Sequence, residues 1–358
     1  MDGDLTSFLA GHDQIITARE ARSVGIRTEK VRAAVRAGEL VRVVRGGYVT
    51  RSAMLAVSYE ARHVLRTAVL LRTRPGDVAA SHTSAAAMWG LPVTTRLMER
   101  IHVCHRTRTG TTRRHREFTV HCCPGEDAVL EARVERSDNA FGMVLPDRAS
   151  DPGQPGAGSA DGADADTGSS RVPAPVVVVV HPAVAAVQSA LLTPTSTAVG
   201  IMDAVRQRGL ATVPQLQDWL DRMRFVPGIP HAREALARSD GLAESPPESR
   251  LRLILLELGY TVVAQHPIAE DGRVFARVDF YLPELGVVVE FDGRVKYVRS
   301  DGSGDGDAVV AEKRREDRIR RLGYGVVRVG SEDLGRPDVI DRYIKDAART
   351  VRRPLRAS

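Results

Sequence analysis

The chain has 358 residues, 43% of them hydrophobic and 27% charged, with a formal net charge of +6. That length allows two or three domains with cores that need no disulfide staples. No apolar run reaches the roughly 18 residues of a membrane span, and the start MDGD has no apolar segment behind it, so neither a spanning helix nor a secretory leader is expected.

Three cysteines, two of them adjacent (Cys122 and Cys123), make no disulfide framework, and a reducing cytoplasm is the expected setting. The excess of positive charge favours a polyanionic partner such as DNA. It is carried almost wholly by arginine, the lysines being Lys30, Lys296, Lys313 and Lys345. A codon preference for Arg and Ala would produce the same excess without any function.

Residues 1–50 read as a small helical unit with a hairpin. Thr17 and Glu20 have capping-box spacing, and the short helix they open stops at Gly25. Thr28 is expected to cap a second helix reaching Ala37, with Val31, Ala34 and Val35 as its buried stripe. Residues 40–49 then form two short strands around Gly46 and Gly47. Helix, turn, helix and hairpin is the order of a winged helix-turn-helix. Its second helix would offer Lys30, Arg32 and Arg36 to DNA phosphates, and its hairpin would offer Arg42 and Arg45. Helix pairs of this kind also serve as protein-contact modules, with such arginines as a solvated face.

Residues 51–240 read as a middle α/β domain, interrupted at 147–173 by a linker rich in Gly, Ala, Asp, Pro and Ser that cannot bury enough apolar surface to fold alone. Helices are expected at 58–72 and 82–90, and strands at 101–105 and 118–123 around a basic loop. The His and Cys residues of those strands (His102, Cys104, His105, His121, Cys122, Cys123) fit no zinc knuckle, because alternation sends neighbours to opposite faces. A strand at 176–180 resumes the domain, followed by helices at 182–192, 196–207 and 213–223.

The stretches ITAREARSVGI, VRAAVRAGELVRVVRGGYV and SHTSAAAMWGLPV resemble the N-terminal region of AbiEi-like type IV antitoxins over roughly the first half of the chain. That resemblance implies a DNA-binding regulator and a toxin as partner.

From residue 245 to 352 the pattern is helix, three strands, basic helix, strand, helix. Two acid-bearing strands, 274–282 and 287–292, flank the turn Pro-Glu-Leu-Gly. Alternation puts Val274, Ala276, Val278, Phe280 and Leu282 on one face of the first strand, with Asp279 on the other. In the second strand it sets Glu290 and Asp292 on one face, so the three acids can meet. Like charges gathered in this way call for a cation or protons.

The stretches SPPESRLR, RVDFYLPELGVVVEFDG and EKRREDRIRRLGYGVVRV resemble the restriction-endonuclease-like PD-(D/E)XK superfamily, and within it the domains related to the very short patch repair endonuclease. The resemblance implies an α/β domain with a mixed central sheet and a Mg²⁺-dependent endonuclease, acting in phage defence or DNA repair. Asp279 and Glu290 would be the metal ligands and Glu248 a third acid, although Glu248 also has capping spacing with Ser245. Asp292 stands where the usual lysine is expected, so Lys296 would supply the ammonium, and Lys313, Arg314 and Arg318 of the basic helix would hold the DNA backbone. The alternative is a winged-helix regulator whose nuclease-fold domain is inactive. Residues 301–312 also have EF-hand loop spacing, but without the helix that should precede it. The whole chain is expected to be α+β and multidomain.

Overall fold

The computed structural model describes residues 2–106, 111–137, 140–144, 176–293 and 306–351. Its contacts divide the chain into two compact units, Met1–Leu192 and Thr193–Ser358. Both units are mixed α and β.

The first unit begins with α1 (Gly3–Ala10), β1 (Ile15–Thr17), α2 (Ala18–Ser23), α3 (Thr28–Arg36), β2 (Leu40–Val44) and β3 (Gly47–Thr50). The capping box forms as its spacing implies: the Thr17 hydroxyl accepts from the Glu20 amide, and Glu20 accepts from the Thr17 amide at 2.8 Å. Thr28 does not cap α3. Arg27 holds the extended N-cap position without a side-chain bond, so Thr28 is already inside the first turn. Gly38 ends that helix at φ +74°. The three strands pair in the order β1-β3-β2 over a core of Leu5, Leu9, Ile16, Ile26, Val31 and Leu40.

Next come α4 (Arg51–Leu55), α5 (Tyr59–Thr73), β4 (Val78–Ala80), α6 (His82–Met88), β5 (Ile101–His105), β6 (Arg113–Arg114) and β7 (Phe118–His121). They are followed by β8 (Val129–Ser137), β9 (Ala140–Val144), β10 (Val176–Val180) and α7 (Pro182–Ala190). Strands β4 to β10 make one mixed seven-stranded sheet in the order β6-β7-β5-β4-β10-β8-β9. Strand β10 lies between β4 and β8, so the chain returns after residue 175 to the sheet it had left. Gly47 marks where the hairpin meets α5: a Cβ there would sit 2.7 Å from Val69 Cγ1 and 2.8 Å from Thr73 Cγ2. Arg72 of α5 adds an ion pair to Glu20 at 2.8 Å and a bond to the His12 carbonyl at 3.0 Å.

The same unit buries a group of histidines. His121 stacks on His82 and on His102 with ring centroids 3.7 and 5.2 Å apart, and His102 Nδ1 lies 2.9 Å from His121 Nε2. His63 is fixed between the Met98 carbonyl at 2.7 Å and Ser84 Oγ at 2.9 Å. Burial holds all four below the ordinary histidine range, His63 and His121 at about 4 and His102 at about 3.

The second unit starts with helices α8 (Thr195–Gln207), α9 (Val213–Arg222), α10 (Ile229–Arg238) and α11 (Pro246–Glu257). It continues with β11 (Val263–Glu270), β12 (Arg273–Leu282), β13 (Val287–Asp292), α12 (Gly306–Arg321), β14 (Gly325–Gly330) and α13 (Pro337–Ala348). The strands form a mixed sheet in the order β11-β12-β13-β14, with only β13 and β14 parallel. Leu251 and Leu255 of α11 and Ile340 and Ile344 of α13 cover one face, against Phe280, Leu282, Val287 and Val289. Ile319 of α12 covers the other, against Ala276, Val278, Val288 and Val326.

That division corrects the strict alternation read from β12. Ala276 and Val278 pack toward α12, whereas Phe280 and Leu282 pack toward α11 and α13. The apolar residues change side at Asp279. The neighbouring strand is irregular at the same level: Gln265, between the pairs Ala264–Phe280 and His266–Val278, takes φ +51°. A left-handed residue inside a strand rotates the pleat locally.

Candidate functional site

Asp279 is the residue at that change of phase. The register of β12 with β13 covers Phe280–Val289, Tyr281–Val288 and Leu282–Val287. Beyond it, Asp279 Oδ2 accepts the Phe291 amide at 2.8 Å. A side chain thereby satisfies a backbone donor at the end of the ladder and fixes the carboxylate in place. Burial pushes the Asp279 carboxyl up to about 6, and the charges of Glu248, Glu290 and Glu244 push the same way against the Phe291 bond. Among the described residues its second oxygen has no partner.

Glu290, 8% exposed, shares the Val288 side of β13 and faces α12. Arg315 donates to its Oε1 at 2.8 Å, and Arg328 of β14 lies 3.7 Å from Oε2. Behind them, Glu312 accepts from Arg315 Nε at 3.0 Å and Nη2 at 2.7 Å and also from Arg328, while Glu316 takes Arg328 Nε at 3.0 Å. The hydrogen bond from Arg315 holds the Glu312 carboxyl below its usual range.

The remaining acids stand differently. Glu248 is turned onto the start of its own helix, accepting the Ser245 hydroxyl at 2.7 Å and the Glu244 amide at 2.8 Å. Asp292 lies beside Gly330 at the strand end and lines a cleft of about 610 Å³ along β14 with Arg320, Arg328 and Asp333. Lys296 and residues 301–305 fall outside the described residues, and residues 306–312, expected as loop, belong to the first turns of α12. Lys313 and Arg314 are exposed on α12. Arg318 is engaged with Glu270 at 2.7 Å and lies over the Phe275 ring.

The donor set suits a hard cation, since Asp279 and Glu290 offer only oxygens and Mg²⁺ is ordinarily held by one or two carboxylates with waters. Asp279 is also raised in a way that a cation beside it would relieve. Among the described residues no group of three His, Cys, Asp or Glu side chains is arranged to hold a metal ion.

Arg315 and Arg328 are the neighbours of Glu290 that sequence reasoning does not single out. Arg315 lies four residues before Ile319, which is buried, and three after Glu312; that spacing puts it on the sheet-facing side of α12. Arg314, one position away, points to solvent.

In the first unit, Arg32, Arg36, Arg42 and Arg45 line a cavity of about 630 Å³ between α3 and the hairpin, together with Glu29 and Tyr48. Lys30 is held outside it by Asp2 at 2.9 Å and Asp4 at 3.2 Å. Four of the five basic residues assigned to this region thus gather on one concave surface.

Among the described residues no helix is long and apolar enough to cross a membrane. No family model matches the chain. Two uncharacterized proteins of Mycobacterium tuberculosis, from strains CDC 1551 / Oshkosh and ATCC 25618 / H37Rv, are each 28% identical over 156 residues, or 43% of this chain and 55% of the relative. The chain spans about half the length of these curated relatives. Among solved structures, the catalytic domain of the homing endonuclease I-Bth0305I aligns at 25% identity over 29% of this chain and 94% of that domain, with a TM-score of 0.22.

Proposed function

We propose that the second unit hydrolyses DNA phosphodiester bonds with Mg²⁺ and that the arginine-lined cavity of the first unit holds the DNA backbone. The observation that carries this reading is Asp279: a largely buried acid, raised to about 6, set among the charges of three other carboxylates where the strand changes phase. A purely structural strand would be more stable with a neutral residue there. Asp279 and Glu290 would hold the cation, which when bound activates water and offsets charge on the scissile phosphate. The Phe291 amide orients Asp279. Glu248 adds negative charge from the start of its helix, and Asp292 and Lys296 would act from the end of β13 and just beyond it.

Nicking of supercoiled plasmid in Mg²⁺ tests this directly. The wild-type protein should nick, and Asp279→Ala and Glu290→Ala should each lose at least a hundred-fold in rate, on the order of what a lost charge-stabilising group removes. Equal nicking by all three proteins, or none by the wild type on plasmid, single-stranded and mismatched DNA, would end the proposal.

A second reading is favoured by two observations: Glu290 is already neutralised by arginine, and Asp292 occupies the motif lysine position. On this reading the chain is a winged-helix, antitoxin-like regulator whose second unit keeps a fold without chemistry. It shares one expectation with the first. DNA binding should fall with salt, and each phosphate contact removed by Arg32→Ala or Arg36→Ala should flatten the logarithmic salt slope by about 0.9. The readings part in EDTA, where the regulator binds DNA unchanged and leaves it intact. An unaltered slope in both variants would remove α3 from the interface.

A further inference from the structure

We propose that Arg315 is a resident counter-cation on Glu290, which a divalent metal displaces and which then passes to the anionic substrate. The inference rests on the metal-site reading above.

Glu290 is buried and needs an opposite charge wherever no metal is present. Arg315 provides it through a single hydrogen bond, Nη2 to Oε1 at 2.8 Å. Arg328 stands 3.7 Å from the other oxygen, and its hydrogen bonds go to Glu312 and Glu316. Arg328 is a brace, and Arg315 is the contact that can exchange.

Two features make exchange feasible. Arg315 is anchored separately by two bonds to Glu312, so losing Glu290 does not leave a buried cation unpaired. Its Nη1 has no partner among the described residues, which leaves donors in a planar fork suited to phosphate oxygens. A divalent ion on Glu290 and a guanidinium 2.8 Å from the same carboxylate repel each other strongly at low dielectric. Binding of the ion therefore weakens the Arg315–Glu290 bond while the Glu312 anchor persists. The released fork supplies the cation that the sequence lacks two residues after Glu290, where Asp292 stands.

An arginine that passes from Glu290 to the substrate predicts that its removal raises metal affinity and lowers DNA affinity together. Mn²⁺ should be titrated into the full-length protein and free Mn²⁺ read by electron paramagnetic resonance. Arg315→Gln should bind Mn²⁺ about ten-fold tighter than wild type, the scale of one removed competing charge. Glu312→Gln should bind it more weakly, because Arg315 is then left to Glu290 while Arg328 keeps only Glu316. Arg315→Lys should stay near wild type. With Ca²⁺ present to support binding, Arg315→Gln should hold DNA more weakly even as its metal affinity rises.

Mn²⁺ affinity that is unchanged or reduced in Arg315→Gln would overturn the inference and leave the metal site standing, provided Asp279→Asn abolishes wild-type binding. No Mn²⁺ binding by the wild type would overturn both. If Arg315→Gln fails to fold, the Glu312→Gln arm decides: unchanged or tighter Mn²⁺ binding there overturns the exchange, and weaker binding supports it.

Discussion

Asp279→Asn is more stable than the wild-type protein at pH 8, and the two are equally stable near pH 4. The folded carboxyl titrates at about 6 instead of its ordinary 3.8, so the folded state holds this proton more tightly than the unfolded chain does. Stability from this group is present at low pH and lost as pH rises through about 6. The difference corresponds to about 3 kcal/mol at neutral pH, trimmed by partial exposure to solvent. Asparagine keeps an oxygen for the Phe291 amide and removes the charge that burial and three neighbouring acids oppose. Urea denaturation of the second unit's signal in both proteins at pH 4 and pH 8 measures the gap. A less stable variant at pH 8 would mean that the wild-type carboxylate is better compensated than its surroundings indicate. Ca²⁺ should stabilise the wild type and leave Asp279→Asn unchanged, by linkage of binding to folding.

Acid should unfold the first unit well before carboxylate titration is complete. His63, His82, His102 and His121 all sit below the unfolded-chain value of 6.5, with burial the leading cause in each. The unfolded chain therefore binds protons that the folded unit refuses. The stability they contribute is whole above pH 6.5 and drains away as pH falls toward about 4. His63 alone, 2% exposed and held at about 4, accounts for about 3 kcal/mol by that pH. His82, His102 and His121 act in the same direction. Near-ultraviolet circular dichroism between pH 8 and pH 4 should show a cooperative loss with its midpoint below 6.5. His121→Gln keeps a polar group opposite His102 without a titrating ring, and should move that midpoint to lower pH. A midpoint indifferent to this change and to His63→Gln would assign acid lability to other groups.

Local signals on single elements were legible in the sequence. Thr17 and Glu20 form their box because the spacing sets the geometry, and the order of helices and strands in the second unit follows its periodicity. Elements built against local preference were not legible. Strand β1 follows Asp13 and Gln14, both left-handed at φ +54° and +63°, and neither residue type announces a strand. Strand β4 is three small residues whose extension comes from its neighbours in the sheet. Helix α10, with Pro at its second position, falls in the stretch 182–239 that reads as helical, but its bounds do not show in the sequence. In the candidate site, the acids could be named but their settings could not. The phase change at Asp279 lies level with the left-handed Gln265 on another strand, and the choice of Arg315 over Arg314 depends on how α12 rolls against the sheet.

Gly47 carries a mechanical consequence. Its missing Cβ lets the hairpin lie flush on α5, within 2.7 Å of where a side chain would strike Val69. Arg72 clamps the same helix to Glu20 and to the His12 carbonyl. The hairpin wall of the arginine-lined cavity is therefore seated directly on α5. A load applied to Arg42 or Arg45 passes through packed backbone into α5, and α5 rests on the seven-stranded sheet. Whatever grips those arginines pulls on a lever rooted in the sheet.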